Sequence, residues 1–125
     1  MPITWSISEE KRLALVRYEG PTNLAQVVDT MVEVSGSPDF QSDYGVLVDL
    51  REMEYSPSIR ELIEIASAII NMKSLMQGKI ALVTSTAFHY QMTQFNVRLV
   101  SVVGVRGKAF REMEAAREWV LSSEA

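Results

Sequence analysis

The chain has 125 residues, 47% of them apolar and 22% charged, with 12 basic against 16 acidic side chains and a net charge of -4. That length suits one domain with a real core rather than two, and the acidic balance excludes the basic face of a nucleic-acid binder. With no cysteine and a single histidine, His89, there are no disulfides, thiolate metal sites or cysteine nucleophiles, and no multi-histidine zinc site within one chain.

Ile3, Trp5 and Ile7 alternate with Thr4 and Ser6, the period of a half-buried strand. After the polar Ser8–Lys11 turn, the aliphatic run Leu13–Tyr18 reads as the second arm of a hairpin, ended by Gly20-Pro21. Thr22 or Asn23 can cap the helix that follows. Its inner stripe is Leu24, Val27, Val28, Met31 and Val34. Gly36, in a left-handed turn, and Pro38 stop it. Val46–Leu50 is short and apolar until Asp49, as expected of a central strand. Ser56 is a candidate cap and Pro57 suits the first turn of a long helix, Ile59–Met76, whose stripe is Ile59, Leu62, Ile63, Ala66, Ile69 and Ile70. Gln77-Gly78-Lys79 closes it.

Ile80–Val83 is a second central strand, with Thr84, Ser85 and Thr86 at its carboxyl end. Phe88, Met92, Phe95, Leu99 and Val102 make a third helical stripe, so that this helix spans 88–103. A weak strand at Val105–Phe110 and a last helix over Arg111–Leu121 complete the chain, with Met113, Ala116, Trp119 and Val120 facing inward. Both tryptophans and all four phenylalanines have the spacing of core residues. The order β-β-α-β-α-β-α-β-α predicts an α/β single domain: a mixed, mostly parallel five-stranded sheet led by an N-terminal hairpin.

The Val-Leu-Val-Asp-Leu-Arg strand, the Lys-Ile-Ala-Leu-Val strand and the ending Ala-Phe-Arg-Glu-Met-Glu-Ala-Ala-Arg-Glu-Trp-Val resemble, with the order of elements, the SpoIIAA-like proteins, which share the STAS-type fold of the anti-sigma-factor antagonists. The resemblance covers the whole chain. It implies a non-enzymatic regulatory or protein-interaction module. It also implies a phosphosite at Ser58, or at its neighbour Ser56, because the antagonists are phosphorylated on a serine at the start of the equivalent helix. The sequence departs from that pattern at Pro57, where the antagonists carry an aspartate, and in Ile59-Arg60-Glu61, which lacks their small residues. Some relatives are linked by fold to lipid-binding domains.

The residues themselves leave alternatives open. Asp49 and Arg51 read as ligand contacts at a strand end, or as a carboxylate held by backbone N–H groups beside a paired arginine. Ser56 and Ser58 read as a phosphate site at a helix start, or as Ser56 capping the helix with Ser58 in its first turn. Ser85 and His89, with Asp49, have the residue types of a hydrolase but lack the Gly-x-Ser-x-Gly turn. Ile65, Met72 and Met76 lie off the inner stripe of the long helix, and Met53 and Tyr55 precede it. A second apolar face of this kind suggests a homodimer contact or an apolar ligand between the 59–76 and 88–103 helices. The expected partners are therefore a protein, a second copy of the chain, or an apolar small molecule or lipid. No cofactor or nucleic acid is expected. The start of the chain shows no signal pattern and no apolar run reaches the ~20 residues of a membrane span, so the expectation is a cytoplasmic protein of bacterial style.

Overall fold

In the computed structural model, residues 3–122 are described. The alternating hairpin forms β1 (Ile3–Ser8) and β2 (Leu13–Pro21), paired antiparallel with Ile3 opposite Tyr18. There follow α1 (Leu24–Ser35), β3 (Gly45–Glu54), α2 (Ile59–Asn71), β4 (Ile80–Val83), α3 (Ala87–Ser101), β5 (Gly107–Phe110) and α4 (Met113–Leu121). The strands lie in the order β1-β2-β3-β4-β5, and β2 through β5 are parallel. The predicted element order, mixed sheet and leading hairpin are all present.

This order dictates where the helices go. Each parallel neighbour is reached by a right-handed crossover, and a sheet built in one direction puts every crossover on the same face. Ala14, Val16, Tyr18, Val46 and Ile80 accordingly share one core cluster with residues of α1 and α2 and with Val100 of α3. The last helix is not a crossover and takes the other face, where Leu13, Leu47, Ala81 and Val83 meet Ala116 and Val120. Because the strand order never reverses, the crevice typical of doubly wound sheets is missing.

Two glycines are required by close approach. A Cβ on Gly78 would lie 2.2 Å from the Tyr44 carbonyl oxygen, and one on Gly45 would lie 2.8 Å from the Val120 side chain. Lys79, 6% exposed, donates from Nζ to the Trp119 and Ser122 carbonyls and to Ser122 Oγ, at 3.2, 3.1 and 2.7 Å. A cation thus sits at the negative end of α4.

Several local expectations are corrected. Asn23 and Ser58 are the caps of α1 and α2, each in a reciprocal capping box with Gln26 and Glu61. Ser56 is not a cap, and Pro57 precedes the helix. The reciprocal pair, which needs a Gln or Glu three residues on, decides which polar residue wins. Gly36 sits at φ -90, not in a left-handed turn. α2 ends at Asn71; Leu75 N–H then bonds to the Met72 carbonyl in a tighter turn that returns Met76 to the core. The long helices are also rotated from the expected stripes. Ile59 and Ile63 are 69% and 49% exposed, and Phe88, Phe95 and Val102 are 63%, 40% and 84% exposed. Trp5 is also 36% exposed rather than in the core. The inner face of α2 is Leu62, Ile65, Ala66 and Ile69, and that of α3 is Met92, Asn96, Val97 and Val100. Both helices carry apolar residues all round, so periodicity alone leaves their rotation undetermined. No helix among the described residues is long and apolar enough to cross a membrane.

Candidate functional site

α2 lies beside α1 and α3, and its Ala66 is buried in the core cluster shared with the strands. Under it, between sheet and helices, lies a cavity of about 150 Å³. Val16, Val46, Val48 and Leu82 form its floor, while Ile65 and Ile69 of α2 and Val97 of α3 form its roof. β-Branched residues dominate the floor. Ile65 and Met76, which the sequence set apart from the inner stripe, both line this space. Met72 does not; it packs against the same core, with the Ser35 hydroxyl 3.8 Å from its sulfur.

At the carboxyl end of the strands the lining residues are half-exposed: Tyr55, Pro57 and His89. The Tyr55 hydroxyl donates to Glu61 Oε2 at 3.0 Å. Burial, then that bond and the charges of Glu61 and Glu64, push the phenol up to about 12. Glu61 is held below the usual carboxylate range, first by the Ser58 amide and then by the Tyr55 hydroxyl. The Ser58 hydroxyl is engaged as a cap, accepting from the Glu61 amide at 3.2 Å.

His89 bridges two elements. Its Nδ1 lies 2.8 Å from Thr86 Oγ1, and its Nε2 lies 3.3 Å from Ser56 Oγ, 33 residues away in sequence. A neutral ring donates with one nitrogen and accepts with the other, so the three groups form a continuous chain joining the loop before α2 to the start of α3. The order serine–imidazole–hydroxyl has the outline of a nucleophile, a base and an orienting group. The group on Nδ1 is a neutral hydroxyl, however, not a carboxylate that would stabilise an imidazolium.

The other expected site residues are on the opposite face or differently engaged. Asp49, 4% exposed, shares the face of Leu47 and points away from the cavity-lining Val48. Arg51 donates to it from its backbone amide, Nε and Nη2 at 3.1, 3.0 and 2.9 Å. Burial opposes ionisation of Asp49, but these bonds and the charges of Arg51 and Arg17 outweigh it and hold the carboxyl below its usual range. The Ser85 hydroxyl donates to the Arg51 carbonyl at 3.1 Å. Asp49, Ser85 and His89 are therefore not assembled into one site. Among the described residues no group of His, Asp and Glu is arranged to hold a metal ion.

Neither the protein-family models nor the curated proteins match this sequence. Among solved structures, the chain is similar to an uncharacterised protein of the DUF3478 family with a SpoIIAA-like fold from Shewanella loihica PV-4. The TM-score is 0.65, identity is 11%, and the match covers 94% of this chain and 93% of that one. The chain has a SpoIIAA-like fold. At that identity the likeness speaks for the backbone alone. The SpoIIAA-like scaffold supplies the sheet and the three crossover helices, whereas the cavity lining and the Ser56–His89–Thr86 chain belong to this sequence.

Proposed function

We propose that the protein is a non-enzymatic binder of a small apolar molecule, held between the sheet and α2. The observation that carries this reading is the cavity of about 150 Å³ with an almost wholly apolar lining. Dry cavities of that size take up benzene-sized guests, and apolar pockets with a few polar groups are the usual form of ligand sites. The test is native mass spectrometry and ligand-observed NMR with toluene on the protein and on Ile69→Phe, which places a ring in the cavity. Toluene bound by the parent and lost from a folded Ile69→Phe supports the reading. No binding, or equal binding by both, overturns it.

A second reading keeps the protein-interaction role, with a second copy as partner. It is supported by Ile59, Ile63, Phe88, Phe95 and Val102, which α2 and α3 expose on the side away from the sheet. Light scattering tests it; a strict monomer at high concentration removes self-association.

A further inference from the structure

One polar side chain of the cavity lining has an atom that the fold does not use. Asn96 is only 9% exposed and lines the cavity. Its Nδ2 donates to the Leu62 carbonyl at 2.7 Å. That contact fixes the orientation of the side-chain amide, since a carbonyl accepts and only the nitrogen end can face it. Oδ1 then has no donor among the described residues, yet it is not sealed away from all space. An acceptor that no protein group uses, set among apolar side chains, is one that a ligand carrying a donor can satisfy.

The rest of the lining offers Oδ1 nothing. The hydroxyl protons of Thr30, Thr84 and Thr93 are committed to the backbone carbonyls of Gln26, Phe110 and His89, at 2.7, 3.4 and 2.9 Å. The Tyr18 phenol, pushed up to about 12 by burial, lines the same space. Beside Asn96 a guest therefore meets an unused acceptor in a largely apolar space. An anionic carboxylate has no proton to give and would face Oδ1 unfavourably. An ammonium would give up its hydration for a single neutral acceptor. What remains is a neutral O–H donor on an apolar body.

We propose that the cavity takes a small neutral hydroxyl compound of the size and type of a phenol, and that Asn96 Oδ1 selects it by accepting its O–H hydrogen bond. This rests on the apolar-binder reading and narrows it to a ligand class. Phenol and toluene are suitable probes, being close in shape and differing in the donor. Each is titrated into the full chain by calorimetry and by NMR observed at the Asn96 side-chain amide, and again into Asn96→Ala. The expected result is that phenol binds more tightly than toluene, that phenol alone moves the Asn96 amide signal, and that the preference falls about tenfold in Asn96→Ala. Should Asn96→Ala not fold, the Asn96 signal in the parent protein decides by itself. Equal binding of both probes, with the Asn96 signal indifferent to the hydroxyl, overturns the role of Asn96 and leaves the cavity reading standing. Binding of neither probe overturns both.

Discussion

The two faces of the sheet are packed by opposite means. On the α4 face Leu47, Ala81, Val83 and Ala116 are wholly buried, and Val120 comes so near Gly45 that no side chain fits there. α4 has no side-chain cap at its start and is held by burial, with Lys79 at its end. On the other face α1, α2 and α3 each begin with a side-chain cap, and the layer they form leaves a cavity beneath it. Close packing stabilises the first face. The second gives up contacts, gains space, and relies more on the ends of its helices. The difference teaches that close packing and open space are divided between the faces of one sheet.

Substitutions can break or sharpen that division. The largest effect is expected for Leu47→Ala, a loss of roughly 3 kcal/mol in chemical denaturation, against about 1 kcal/mol for Val48→Ala, whose side chain already borders a void. Equal losses would mean that the faces are packed alike. Ala116→Leu should then cost about 2 kcal/mol by overpacking, whereas Ile69→Phe adds bulk on the open face and should stabilise by about 1 kcal/mol. A destabilised Ile69→Phe would mean that the space is not available to a ring. Ser58→Ala should cost about 1 kcal/mol through loss of the α2 cap, while Glu112→Ala, at a start with no side-chain bond to lose, should leave thermal unfolding nearly unchanged.

The smallest effect is in acid. Asp49 titrates below its ordinary value of about 3.9. A carboxyl with a depressed folded value contributes fully above its unfolded value, and that contribution is lost as pH falls through the lower folded one. Asp49→Asn should flatten the acid limb of the stability curve below about pH 4 and leave the neutral region without this slope. Its size is limited because the Arg51 side chain is 41% exposed and screened by water.

Much of the fold could be read from the residues because Ile80–Val83 is an uninterrupted apolar run, Val46–Leu50 is apolar except at Asp49, and the helices between the strands are long. Strand alternation even separates Asp49 from Val48. The rotation of α2 and α3 was not readable, since Ile59, Phe88 and Val102 look like core residues beside Leu62 and Val100. Nor was the cavity, because empty space leaves no pattern in a sequence. Ser56 meets His89 only after the chain has passed through a helix and a strand. Ile65 and Met76, set apart from the expected stripe, were the visible sign of the inner site; Asn96 lay among the other polar residues of α3 and carried no such signal.

Because α2 contributes no rung to the β-ladder, an outward tilt of this helix would leave every strand paired. Such a movement would admit a guest through the helical layer at the cost of side contacts and the Ser56–His89 link, without opening the molecule globally. Amide protons of α2 should accordingly exchange with solvent sooner than those of α4, and a bound guest should slow them selectively.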